Sequence, residues 1–84
     1  MKEKIVCVEW KDAGYNSGYY DKEDKGRFEP VKTKTAGFVI RSDRKSLVLS
    51  HERFYDEEWK LDDERHITIF PRGMITRIAE LKEK

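Results

Sequence analysis

The apolar positions of this chain fall in short runs separated by polar, turn-forming stretches. The clearest case is Ala36-Gly37-Phe38-Val39-Ile40-Arg41-Ser42-Asp43-Arg44-Lys45-Ser46-Leu47-Val48-Leu49-Ser50, where two runs rich in β-branched residues flank a short polar break. That pattern is the signature of a hairpin, with the turn at Ser42 to Ser46. The same reasoning predicts strands over Ile5 to Trp10, Val31 to Arg41, Leu47 to Phe54 and His66 to Phe70. In the first, Val6, Val8 and Trp10 share one face and Ile5, Cys7 and Glu9 the other, and the pattern alone does not orient it. In the second, Ala36, Phe38 and Ile40 alternate as the expected inward set, with Gly37 as a bend or bulge. In the third, Leu47, Leu49 and His51 lie on one face, and Val48, Ser50 and Glu52 on the other. Residues 74–81 fit two patterns. Met74, Ile78 and Leu81 form a helical stripe, but the β-branched Ile75, Thr76 and Ile78 favour a tight helical turn followed by a fifth strand.

The connections carry their own signals. Residues 11–30 read as a long first loop, with Gly14, Asn16, Ser17, Gly18, Gly26 and Pro30 as turn residues and Tyr15, Tyr19, Tyr20 and Phe28 as its aromatic content. A loop of this length inside a compact domain marks a binding loop or a disordered one, and the aromatic rings argue against pure disorder, either pinning the loop onto the domain or offering a contact surface. Asp56 to Glu64 reads as an acidic loop containing Trp59 and Leu61, Pro71-Arg72-Gly73 as a break, and residues 82–84 as a frayed tail. The expected fold class is mainly β: one domain over residues 1–84, with five strands, a long first loop and a short helical turn before the last strand.

Composition narrows this further. A chain of 84 residues buries only roughly 60 to 65% of the surface its unfolded form exposes, so a deep cofactor cavity would consume most of the core. Charged residues make up 42% of the chain, yet the net charge is +1, so the molecule as a whole is not a basic polyanion binder. Two Trp, four Tyr and four Phe supply the large buried areas that separate it from a disordered polar segment. The single cysteine, Cys7, excludes an intramolecular disulfide and points to a reducing compartment. No signal-peptide core follows Met1 and no apolar run reaches the roughly 20 residues of a membrane span, so the expectation is a cytoplasmic protein with no membrane partner.

The order of strands, loops and turns resembles the small five-stranded barrels of the SH3-like and Sm-like type. Ile67-Thr68-Ile69-Phe70-Pro71-Arg72-Gly73-Met74-Ile75 is similar to the SH3 stretch in which a strand runs through a proline and a helical turn into the last strand. Tyr15, Tyr19 and Tyr20 beside Asp21, Glu23 and Asp24 are similar to the SH3 loop that lines a peptide groove. Gly37-Phe38-Val39-Ile40, then Asp43, then Leu47-Val48-Leu49 is similar to the first Sm motif, and Arg72-Gly73 to the second. Ser46 stands nearest the place where the Sm pattern has Asn, one residue closer, and the leading Sm helix has no counterpart. The chain also resembles small uncharacterised bacteriophage and mobile-element proteins, a likeness that carries no activity.

Charge is asymmetric along the chain. Residues 25–53 hold eight basic and three acidic side chains, a net +5, whereas residues 54–64 hold one basic and six acidic, a net −5. Two binding surfaces follow. The tyrosine loop, with Tyr15, Tyr19, Tyr20 and Phe28, suits a protein partner, by the pairing of rings and carboxylates that recognises Pro-rich or basic segments. The alternative is nucleic acid, held by Arg41, Arg44 and Lys45 in the hairpin turn with Arg72 as a second phosphate contact. Charged strand edges that only confer solubility account for the same basic residues, and rings that only cover one end of the sheet account for the tyrosines. A third class is a small component that assembles with itself through strand edges.

Enzymatic chemistry finds no candidate set. His51 and His66 are dispersed, Asp62-Asp63-Glu64 lacks the alternation and glycine of a calcium loop, and Cys7 has no activating partner in the pattern. The expectation is a non-catalytic binding module without metal or cofactor, its preferred partner a protein and homo-oligomerisation open.

Overall fold

The computed structural model describes residues 3–12 and 30–82 of the chain. The fold is mainly β: β1 (Ile5–Asp12), β2 (Val31–Ser42), β3 (Ser46–Tyr55), β4 (Leu61–Pro71) and β5 (Ile75–Leu81), with a 3-10 turn (Arg72–Met74) before β5. Residues 75–81 are therefore strand, as their β-branched content favours. The five strands form one antiparallel sheet in the order β4-β3-β2-β1-β5. Consecutive strands are neighbours up to β4, and the chain then crosses to lay β5 beside β1. The sheet is open, with β4 and β5 as its edges. No helix among the described residues is long and apolar enough to cross a membrane.

One face of the sheet carries the core, built from Val6 and Val8 of β1, Leu47 and Leu49 of β3 and Phe70 of β4, with Trp10, Val39 and Ile75 packed against them. This orients β1: the Val6, Val8, Trp10 face points inward. The Trp10 and Phe70 rings meet edge to face, with centroids 5.3 Å apart at 71°. Their strands are separated by β2 and β3, so the sheet must curl strongly to bring the rings together. The curl is what lets a single sheet bury Val8 and Leu49 completely. Each such side chain contributes about 1.5–3 kcal/mol. Trp10 Nε1 donates to Thr35 Oγ1 at 2.9 Å, which satisfies the one polar atom that the indole brings inward.

Four expectations are corrected. In β2 the inward residues are Gly37 and Val39, while Ala36 and Ile40 are exposed and Phe38 is half-buried on the opposite face. The register fixes this parity, because Val39 pairs with Leu49 of the core and Phe38 with Ser50. The irregularity in β2 lies between Val39 and Arg41, so the bulge is at Ile40; Gly37 pairs with Val6 in regular register. Gly37 has a different cause: a Cβ there would stand 2.7 Å from the Ser50 carbonyl oxygen. The acidic loop is also shorter than its composition implies. β4 begins at Leu61, and Asp63, Glu64 and Arg65 lie in strand opposite Phe54, Arg53 and Glu52. Cross-strand pairing compensates their polarity, as in Arg53–Glu64. Finally, β1 extends through Lys11 and Asp12, paired with Lys32 and Val31, so the first two residues of the expected long loop are strand.

Candidate functional site

The β2–β3 turn is built on Asp43. Its Oδ1 accepts the backbone N–H of Lys45 at 2.8 Å and of Ser46 at 2.9 Å, and its own N–H donates to the Ser46 carbonyl at 3.0 Å. An Asp at the start of a tight turn commonly folds the chain back in this way. The Ser46 and then the Lys45 N–H hold the Asp43 carboxyl below its ordinary value, with Arg41 and Arg72 adding to the effect.

Arg72 brings a second segment to this turn. Its Nε donates to the Asp43 carbonyl at 2.8 Å, its Nη2 to Ser42 Oγ at 2.6 Å, and its backbone N–H to the Lys45 carbonyl at 3.0 Å. Arg41 lies alongside, with Nη2 donating to Ser46 Oγ at 3.2 Å and Nε 3.4 Å from Asp43 Oδ2. The four basic residues singled out from the sequence, Arg41, Arg44, Lys45 and Arg72, are thus gathered at one end of the sheet around one carboxylate. They divide by role. Arg41 and Arg72 are held by contacts within the protein, whereas Arg44 and Lys45 are exposed and make no side-chain bond or ion pair with the described residues. Such a cluster holds the positive charge of Arg41 and Arg72 in place at the turn and presents the exposed cations of Arg44 and Lys45 beyond it. That suits a phosphate-bearing ligand.

The candidate protein-binding residues Tyr15, Tyr19, Tyr20 and Phe28 lie outside the described residues. A cleft of about 260 Å³ lies between Lys4, Val6, Val39, Ser42, Leu47, Ile78 and Glu80. His51 clasps three strands: Nδ1 is 2.9 Å from the Ala36 carbonyl and Nε2 is 2.7 Å from Thr68 Oγ1. A carbonyl only accepts, so Nδ1 donates to Ala36, while Nε2 and the threonine hydroxyl share a hydrogen bond. His66 lies 3.4 Å from Glu52. Among the described residues, no three His, Cys, Asp or Glu side chains gather to hold a metal ion.

Two features escaped the sequence. The first is a polar cluster around Ser50, which is completely buried. Its hydroxyl donates to Glu64 Oε1 at 2.7 Å, Arg53 Nε donates to the same oxygen, and the Arg53 guanidinium lies 4.7 Å from the centre of the Phe38 ring. The Ser50 hydroxyl, with Arg53 beside it, holds the Glu64 carboxyl below its ordinary value despite partial burial. The second is the β3–β4 hairpin tip. Asp56 Oδ1 accepts the N–H of Glu58 and of Lys60, both at 2.9 Å, and Trp59 follows in the left-handed region at φ 62°. Glycine normally fills such a position, so a tryptophan there gave no turn signal. Trp59 is 80% exposed, with the Tyr55 ring 5.8 Å away.

Compared with known protein families, characterised proteins and solved structures, the chain matches none.

Proposed function

We infer that this protein is a non-catalytic binding module whose ligand is the phosphate backbone of a nucleic acid, held at the basic turn by Arg41, Arg44, Lys45 and Arg72. The observation that carries the reading is the docking of Arg72 onto Ser42 and Asp43, which joins two segments distant in sequence into one cationic end. The finer fold reading is an SH3-like or Sm-like barrel. It rests on the strand order, in which β5 returns to β1, and on the curl that brings Trp10 onto Phe70.

Fluorescence anisotropy of short labelled oligonucleotides, single- and double-stranded, across a salt series tests the function. If all four cations meet phosphates, the log–log slope of affinity against salt for duplex is about −3 to −4. Arg44→Glu with Lys45→Glu abolishes binding. Absence of binding at low salt, or affinity indifferent to both salt and the charge reversal, overturns the reading.

A further inference from the structure

The acidic and basic ends of this molecule lie at opposite ends of one strand. β3 leaves the basic turn at Ser46 and reaches the acidic tip after Tyr55, a run of ten residues, or roughly 30 Å at strand rise. Each end also carries exposed apolar surface. At the tip, Trp59 projects into solvent, buttressed by Tyr55 and flanked by Glu57 and Glu58. At the basic end, Ile69 is 63% exposed and Ile40 42% exposed. They flank Val48, which pairs with Ile69 on one side and with Arg41, the residue after the Ile40 bulge, on the other. A bulge sets two adjacent residues against one on the facing strand, so Ile40 and Arg41 share the space opposite Val48.

We propose that the chain binds a second copy of itself, the Trp59 tip of one copy seating on the exposed Ile40 and Ile69 side chains of the next. The match is both apolar and electrostatic. An aromatic knob rimmed by carboxylates meets an aliphatic surface rimmed by Arg41, Arg44 and Lys45, and an indole accepts a neighbouring guanidinium or ammonium on its face. Exposed apolar surface rimmed by polar residues commonly marks a protein contact. The surfaces that meet are unlike, so this is a heterologous contact in which each copy offers both halves. A tryptophan in a left-handed turn position costs backbone energy that a glycine there would not, and the contact gives that side chain a role.

Sedimentation velocity of the full chain over a concentration series, at low and high salt, tests the proposal. The wild-type mass rises above the 10.1 kDa of one chain at low salt and returns to it at high salt. Trp59→Gly, which fits the left-handed turn and therefore folds, remains a monomer. Arg44→Glu with Lys45→Glu also remains a monomer, because its tip is intact but its seat is reversed. Mixed together, the two variants form a 1:1 pair, since one supplies the seat and the other the tip. A wild type that stays at one chain's mass throughout overturns the proposal. So does an assembly that Trp59→Gly leaves intact, or a failure of the mixed variants to pair.

Discussion

Gly37 and Trp59 are opposite solutions to backbone demand. Gly37 is required by contact rather than by torsion: a Cβ would meet the Ser50 carbonyl at 2.7 Å, and His51 Nδ1 and Leu49 Cβ at 3.2 Å. Neither the backbone oxygen nor the packed leucine yields easily, so Gly37→Ala should destabilise the fold by about 1–3 kcal/mol in urea unfolding. Trp59 is the reverse case, a bulky residue held at positive φ. Trp59→Gly should stabilise the isolated monomer by about 1 kcal/mol, because the left-handed penalty disappears. Ser50 has a third kind of role, as the buried donor to Glu64. Ser50→Ala should cost about 2 kcal/mol at neutral pH through loss of a hydrogen bond to a charged acceptor. Glu64 adds a pH dependence of defined sign. Its folded carboxyl titrates below the ordinary 4.5, so its stabilisation is complete above that value. It is lost as pH falls through the lower, folded value. Ser50→Ala should flatten this acid limb in a series of unfolding curves between neutral and acid pH.

At the scale of elements, the two hairpin turns share one device, an aspartate carboxylate accepting two backbone N–H groups. The β2–β3 turn therefore reports on its own carboxylate. The Lys45 and Ser46 amide resonances should shift together with a midpoint below the ordinary 3.8 of Asp43. A midpoint at or above that value would show that the turn is not closed by Asp43. This turn was legible in the sequence because Ser42 to Ser46 is a polar break between two β-branched runs. The core face of β3 was left open, because Leu47, Val48 and Leu49 are all apolar and all buried. The inward face of β2 was not legible. Its two faces are similarly apolar, and the deciding fact is the pairing of Val39 with Leu49, a tertiary relation. The start of β4 was hidden for a related reason. Asp62, Asp63 and Glu64 read as loop by composition, and it is the ion pairs of Glu64 with the facing Arg53 and of Asp63 with Arg65 that make them tolerable in a strand. Of the candidate site, the four basic residues were readable individually. That Arg72 locks onto Ser42 and Asp43 depends on how the 3-10 turn leaves β4, which no local pattern encodes.

For the whole molecule, near-neutral net charge conceals strong separation, with cations gathered at the β2–β3 turn and carboxylates at the β3–β4 tip. The curled sheet sets these ends apart along β3, with the basic turn abutting the core at Leu47, which pairs with Ser42 and Phe70, and the acidic tip at the far end of the strand. Binding at the basic end should therefore leave the resonances of the acidic tip unmoved. An amide NMR titration of the labelled Trp59→Gly variant, which keeps the basic turn but lacks the tip that would seat on it, with short single- and double-stranded oligonucleotides, at low and at high salt, tests the central claim most directly. The account predicts shifts confined to Arg41 through Ser46 and Arg72 that vanish at high salt. Shifts elsewhere, or none at low salt, would contradict it.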